Sequence, residues 1–451
     1  MVLGMTARMR APNEAEDPVL TAVGRWPAAL QGHGNLIRGS AWLTATVAAS
    51  AVAGFSFWLL AARTFAEEPI GQAASLFTAV LFVNYATSLG LPVAVARYAA
   101  DRSDTADVLF GWAVVVTVGA SGLGTAVLVL IGGGDLLDPL DRLGAFGGPL
   151  FFFAVTAGMS AGLLVEARLT ALRRWTLVLA RVSLVGVIRL PLIAWDPIDD
   201  PALWLFLLVG ALPAASVVVL VGVLAVKGRA RLGRLPSATR AAARFAGVNY
   251  ASMLALQAPL FVLPFVVALQ VSADGYSSFY IAFQIATVAF LVPHMLTQVL
   301  LVEGGRESSD LDAQVRVALV GTVGIMAAVA AGGLVLARIV PEVYGEEYQD
   351  AGDLLPVLLA AGIAWAVTSV ILTRARVVEA ERVIVALGLC LALGILVPAG
   401  LLTAARGTGG AAAGWLIGHV LAALVALLAA RHLPGARGAP ADLAVEVPSR
   451  R

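Results

Sequence analysis

The stretch ALWLFLLVGALPAASVVVLVGVLAV, residues 202–226, runs for 25 residues without a charged side chain. A helix of about 20 mostly apolar residues crosses the roughly 30 Å hydrocarbon core of a bilayer, because each residue adds about 1.5 Å. This stretch therefore predicts a membrane-spanning helix, and it determines how the rest of the chain is interpreted.

Apolar runs of this kind recur along the whole chain. Of its 451 residues, 60% are hydrophobic and 13% are charged, whereas soluble globular proteins have about 45–50% apolar and about 25% charged residues. We therefore predict an all-α, polytopic membrane protein with twelve transmembrane helices. The predicted spans cover residues 41–62, 70–92, 108–131, 147–165, 176–195, 202–226, 245–269, 276–300, 317–337, 354–373, 383–403 and 409–430.

Lysine and arginine residues are distributed unequally between the two sides. With the N-terminus in the cytoplasm, cytoplasmic segments carry 24 of them and the outer turns carry only Arg63, Arg142, Arg338 and Arg406. Basic residues collect on the cytoplasmic side of membrane proteins. The bias predicts a multi-pass protein of the cell membrane with both termini in the cytoplasm.

Several functional classes are disfavoured by what lies between the spans. The outer turns are short and acidic, so they leave no room for a folded soluble domain, and we expect no enzyme. The net charge of +1 gives no indication of nucleic-acid binding, and the single cysteine, Cys390, excludes an intramolecular disulfide. No nucleotide-binding or hydrolase motif stands in a credible context, so neither a cofactor nor a metal is predicted.

The most basic loop, residues 227–244, divides the spans into six and six. An even number of helices gives both halves the same orientation, related by an axis along the membrane normal. Two parallel six-helix lobes predict a central cavity and alternating access. The predicted organisation is a cytoplasmic tail 1–38, an N-lobe 39–226, a basic cytoplasmic linker 227–244, a C-lobe 245–432 and a disordered cytoplasmic tail 433–451.

Three segments carry a resemblance to a known family. They are AARTFAEEPIGQAASLF at 61–77, SLGLPVAVARYAAD at 88–101 and VPEVYGEEYQDAGDLLPVLL at 340–359. The first two resemble the opening of polysaccharide-biosynthesis (Wzx-type) lipid-linked oligosaccharide flippases. The third is similar to the outer Tyr-Gly-x-x-Tyr-x-x-Ala turn of the same proteins, which belong to the multidrug/oligosaccharidyl-lipid/polysaccharide (MOP) superfamily.

The resemblance implies a passenger and partners. The passenger would be a polyprenyl-pyrophosphate-linked saccharide that moves from the cytoplasmic to the outer leaflet for cell-surface polysaccharide assembly. The partners would be this lipid-linked saccharide, membrane lipids, a coupling ion (H⁺ or Na⁺), and a polysaccharide polymerase or glycosyltransferases, with no nucleic acid.

Charged groups inside the bilayer are costly and therefore mark candidate functional sites. The predicted spans contain no Asp, Glu or Lys, and their two arginines, Arg181 and Arg189, both lie in span five. Guanidinium groups bind phosphate oxygens in bidentate fashion, so a cavity lined by them fits an anionic passenger. Cation-coupled drug antiporters of the same superfamily generally rely on buried carboxylates. The predicted substrate-binding residues are Arg97, Arg181, Arg189 and His294.

The residues themselves leave alternatives open. Arg181 and Arg189 have side chains long enough to reach the headgroups, and Arg97 would also serve as an ordinary cytoplasmic anchor. His294 follows Pro293, where a freed carbonyl needs a hydrogen-bond partner. The alternative functions are a drug or small-molecule cation antiporter of the same superfamily and a non-transporting membrane scaffold.

Overall fold

The computed structural model describes residues 34–100, 103–130, 135–195, 197–304 and 310–433. These ranges form helices and short turns and contain no strand. Helices satisfy their backbone polar groups internally, which a segment inside lipid requires. Residues 1–33 and 434–451 of the predicted tails lie outside the described residues, and the first helix already begins at residue 34, within the predicted N-terminal tail.

Twelve helices span the bundle within these ranges, in the predicted order. They are α1 Gly34–Thr64, α2 Glu67–Thr87 continued by Leu91–Tyr98, α3 Asp104–Leu130, α4 Gly147–Ala171, α5 Trp175–Leu192, α6 Pro201–Phe206 continued through Leu207–Ala211 to Leu212–Val226, α7 Thr239–Ala268, α8 Ala273–Ala289 continued by Leu291–Gly304, α9 Leu311–Tyr344, α10 Gln349–Val377, and α11 and α12 within Glu381–Ala430.

The last two helices form one run of 50 residues, Glu381–Ala430, which is far longer than a bilayer is thick. The backbone leaves the helical conformation at Arg406 (φ −139°) and at Gly407 (φ 58°, ψ −144°). Beyond this break, Gly414 packs directly against Ala399, as expected for an antiparallel hairpin. The run is therefore two spans, and the predicted twelve-helix, all-α fold class is confirmed.

Most helices extend beyond their predicted ends, and in two of them the extension includes an acidic residue paired with an arginine. Helix α3 begins at Asp104 and α4 continues to Ala171, so Asp107 and Glu166 lie within them. Both acidic residues lie just outside the predicted spans but inside the helices of the structure. The apolar runs stop at these charges, whereas the helices continue because both carboxylates are paired with arginines.

Each lobe has its own packing centre. In the N-lobe, α1 packs against α5, α3 against α4, and α2 against both α4 and α6. In the C-lobe, α10 is enclosed by α8, α9 and the α11–α12 hairpin. We call the end of the bundle that carries the 227–238 linker the basic end. The opposite end, which carries the acidic turns, is the acidic end.

The lobes meet along α2, which packs against α7 and α8 of the C-lobe. A Cβ atom at Gly71 would lie 1.8 Å from the carbonyl oxygen of Ala273, so only glycine permits this approach. At the other end, Gly90 has a φ of +66°, and a Cβ there would lie 2.1 Å from the carbonyl oxygen of Ala246. Two glycines of the family-like motifs are thus explained by close contact between the lobes.

A second contact between the lobes lies at the acidic end of α1. Trp58 packs edge-on against Tyr280 of α8 with ring centroids 5.0 Å apart. The Arg63 guanidinium donates hydrogen bonds to the carbonyl oxygens of Val343, at 2.6 Å, and Glu342. These carbonyls belong to the last turn of α9, where helical partners are missing and a cation is favourable.

Candidate ligand cavity of the N-lobe

A cavity of about 220 Å³ lies inside the N-lobe. Five helices of this lobe, α1, α2, α4, α5 and α6, contribute its walls, and both predicted intramembrane arginines line it. Its remaining lining is mostly small or apolar, with Ser50, Ala53, Phe77, Met159, Gly162, Val185, Gly186 and Val209 among the residues concerned. The charged groups are therefore concentrated on two neighbouring helices.

Helical periodicity brings these charged groups to the cavity. Helix α5 presents Arg181, Val185 and Arg189 at four-residue spacing, which is one helix face. The two arginines are about 12 Å apart along the axis at 1.5 Å per residue. Arg181 lies toward the basic end and Arg189 in the last turn, toward the acidic end.

The wall opposite includes an irregular turn of α6. Leu207–Ala211 forms a π-helical turn, and Pro213 follows it in the next helical segment. π-Helical turns are rare in proteins, and many of those that occur lie at functional sites. Val209 and Pro213 line the cavity, and the Ser216 hydroxyl donates to the Pro213 carbonyl oxygen at 2.6 Å.

Arg181 is neutralised by a carboxylate. Its guanidinium forms an ion pair with Glu166 of α4 and donates a second hydrogen bond to the Ser216 hydroxyl at 3.3 Å. Glu166 lines the cavity but is not among the site residues predicted from the sequence. Its signal was available, because Met159, Gly162 and Glu166 share one face of α4.

Arg189 lies in a different environment. Only 9% of the residue is exposed, and its guanidinium carbon lies 4.8 Å from the ring centroid of Phe57. Its Nε is buried without a hydrogen-bond partner among the described residues, and the ion pairs found there do not include it. The cavity therefore carries one excess positive charge from two arginines and one glutamate, and the Nε atoms of both arginines are buried donors without a hydrogen-bond partner among the described residues.

The other two predicted site residues lie elsewhere. Arg97 is exposed at the end of α2, with its guanidinium carbon 4.5 Å from the ring centroid of Phe245 in α7. His294 is exposed in the second part of α8. The structure brings Arg181 and Arg189 together in one cavity and separates Arg97 and His294 from it.

A second buried arginine of the N-lobe has all the partners that Arg189 lacks. Arg168 of α4 forms an ion pair with Asp107 at 2.5 Å and donates to the carbonyl oxygen of Ala99. Arg229 of the linker pairs with the other oxygen of Asp107 at 3.1 Å. This cluster of two arginines and one aspartate joins α3, α4 and the linker near the basic end. In the described ranges no group of three or more His, Cys, Asp or Glu side chains has the arrangement of a metal site.

Sequence comparisons place the chain in no family. No family profile matches it, and no curated protein sequence matches it. Solved structures are nevertheless similar in fold. The inward closed conformation of the lipid II flippase MurJ has a TM-score of 0.64 at 13% identity, over 87% of this chain and 88% of that one.

Two further structures are similar over 88% of this chain and 95% of theirs. An outward-facing multidrug resistance MATE family transporter has a TM-score of 0.54 at 15% identity. A MOP superfamily transporter from Pyrococcus furiosus, described as having a binding pocket of reverse polarity, has a TM-score of 0.54 at 14% identity. The chain therefore shares its fold with transporters of the MOP superfamily, the superfamily that its motifs resemble.

Proposed function

We propose that this protein moves an anionic lipid-linked saccharide of the polyprenyl-pyrophosphate type from the cytoplasmic to the outer leaflet. It would act by alternating access, for cell-surface polysaccharide assembly. The proposal rests mainly on Arg189. Its guanidinium is buried in the cavity, and its Nε has no hydrogen-bond partner among the described residues.

The physical reason is the cost of an unsatisfied buried cation. Moving an ionised group out of water costs a large free energy unless the group is paired. A pyrophosphate supplies charged oxygen acceptors in the planar, bidentate geometry that guanidinium prefers. Arg181, already paired with Glu166, would exchange or share its partner as the phosphate arrives.

Other findings support a lipid passenger of this kind. One of the structures with the same fold is a lipid II flippase. The motifs at 61–77, 88–101 and 340–359 resemble polysaccharide flippases. A polymerase or glycosyltransferases would then use the exported saccharide, and H⁺ or Na⁺ would couple its transport.

The proposal is tested by replacing Arg189 in cells that depend on the protein for a surface polymer. Arg189→Gln and Arg189→Leu are expected to abolish polymer export at near-normal protein abundance, with the lipid-linked saccharide accumulating in the inner leaflet. Arg189→Lys should restore export only in part, because an ammonium lacks the bidentate fork. Full export by Arg189→Leu at normal abundance would overturn the proposal.

Glu166 favours a second candidate, a cation-coupled drug antiporter. It places a carboxylate in the cavity, which is the group that cation binding needs, and a multidrug transporter shares the fold. The ion pair with Arg181 weakens this candidate, because the carboxylate is already neutralised. Loss of the protein would then alter sensitivity to cationic dyes and leave the surface polymer unchanged.

The orientation is also proposed, on the 24-to-4 charge bias. Cysteines at Ser237 and Ser308, in a Cys390→Ala background, should react only with membrane-permeant thiol reagents in intact cells. A cysteine at Ser272 should react with impermeant reagents. Labelling of position 237 from outside would reverse the orientation.

A further inference from the structure

A second pocket lies at the basic end of the bundle, outside the N-lobe cavity. It is an open groove of about 580 Å³, lined by Tyr98, Ser237, Arg240, Ala241, Arg244 and Phe245. Tyr98 ends α2 of the N-lobe, whereas the other residues belong to the linker and the start of α7. The groove is therefore built at the junction of the two lobes, and the transport proposal makes no use of it.

Among the described residues, the two arginines that line this groove have no carboxylate partner. Arg240 and Arg244 are four residues apart in the first turns of α7, so they share one face, and both are exposed. Like charges at this spacing repel each other. No acidic residue lines the groove, and the ion pairs found among the described residues do not involve either arginine. The part of the chain that the structure describes thus supplies no anion to this pair.

The aromatic side chains hold a third cation beside the groove. Phe245 lies edge-on to Tyr98 with ring centroids 5.8 Å apart. The guanidinium of Arg97 lies over Phe245 at 4.5 Å and over Tyr98 at 5.6 Å. An apolar aromatic wall flanked by cations, at the end of membrane-spanning helices, is the environment of lipid headgroups.

We propose that this groove binds the phosphate of an anionic phospholipid headgroup, and that the bound lipid joins α2 to α7 and so holds the two lobes together at the basic end. Free inorganic phosphate could bind to the same arginines as a headgroup phosphate. The location at the membrane ends of two spanning helices favours the lipid, since headgroup phosphates are abundant there and clustered arginines attract them. Lipid binding at this groove does not depend on which passenger the protein carries.

The test is the thermal unfolding of the full-length protein in lipid nanodiscs. Replacing part of the phosphatidylcholine by phosphatidylglycerol should raise the Tm by several degrees, because a ligand that binds only the folded state stabilises it. Arg240→Gln/Arg244→Gln should lose this lipid-dependent shift, and Arg240→Lys/Arg244→Lys should keep part of it. The control Arg382→Gln/Arg431→Gln removes the same charge from exposed residues outside the groove and should keep the full shift.

The outcomes of the experiment distinguish a bound lipid from free phosphate and from general charge attraction. Equal loss of the shift in the control and in the groove variant would show general charge attraction and overturn the proposal. A full shift produced by inorganic phosphate in phosphatidylcholine discs would assign the groove to free phosphate and overturn the lipid assignment. If the double variant does not purify, Arg240→Gln and Arg244→Gln are measured singly. Each is then expected to reduce the shift, and an unchanged shift in both would refute the site.

Discussion

Arg168 and Arg189 are both buried arginines of the N-lobe, with 2% and 9% of each residue exposed, but their surroundings differ completely. Arg168 has the Asp107 carboxylate, the Ala99 carbonyl oxygen and the Phe110 ring around it. Arg189 has the face of Phe57 and an Nε without a hydrogen-bond partner among the described residues.

The difference shows that burial alone does not identify a ligand-binding arginine. Removing Arg168 would leave Asp107 buried with only the half-exposed Arg229 beside it, whereas removing Arg189 would leave no described acceptor unpaired. Breaking a buried pair costs stability because it strands the remaining charge. Stability should therefore depend on Arg168, and ligand binding should depend on Arg189.

The largest effect is expected for Arg168→Gln. It should destabilise the protein by about 3–5 kcal/mol, the usual cost of removing one partner of a buried ion pair. Thermal unfolding of purified protein and abundance in membranes measure the effect, with Arg189→Gln as the matched control. Equal destabilisation by the two substitutions would remove the distinction between the two sites.

A double substitution sharpens this comparison. Arg168→Met/Asp107→Leu replaces both partners by apolar groups, which is often neutral or stabilising for buried pairs. The double variant should recover most of the stability that Arg168→Gln loses. A double variant as unstable as the single one would mean that the Arg168 side chain stabilises α4 through packing rather than charge.

Glu166→Gln is expected to have an intermediate effect, on binding rather than on stability. It removes the negative charge beside Arg181 and raises the net positive charge of the cavity. Binding of a pyrophosphate-bearing lipid to purified protein should tighten by about tenfold, or about 1.4 kcal/mol. Weaker anion binding combined with loss of cation-dye transport would favour the antiporter instead.

The smallest effect is expected for Arg63→Ala. Arg63 also has defined partners, the carbonyl oxygens of Glu342 and Val343, but it is exposed. Exposed polar contacts contribute about 1 kcal/mol or less, so the Tm should fall only slightly. Arg338→Ala, another exposed arginine near the same end, is the control. A loss of stability as large as that caused by Arg168→Gln would show that hydrogen-bonded arginines stabilise the protein equally whether they are buried or exposed.

Hydropathy predicted most of the fold because lipid forces each span to be a long apolar helix. It also placed Arg181 and Arg189 in the same span, and the local periodicity of a helix then brings both to one face of α5. It missed Glu166 and Asp107, since span ends were drawn at the first charged residue while the helices continue through paired charges. The separation of Arg97 from the cavity depends on the contact between α2 and α7, which no local pattern encodes.

The most direct test of the anionic ligand uses a cysteine at Ser50, an exposed residue of α1 that lines the N-lobe cavity. In a Cys390→Ala background, the rate of thiol labelling at position 50 is measured with increasing amounts of a polyprenyl-pyrophosphate saccharide. A cysteine at Ser272, in the turn before α8, is the control that the ligand should not protect.

The account predicts that the ligand protects position 50 and that Arg189→Gln weakens this protection by about 10-fold to 150-fold. Such a loss corresponds to about 1.5–3 kcal/mol, the contribution of a hydrogen bond to a charged group. Unchanged labelling at saturating ligand, or protection that persists at the same concentration in Arg189→Gln, would contradict the assignment of the cavity to an anion.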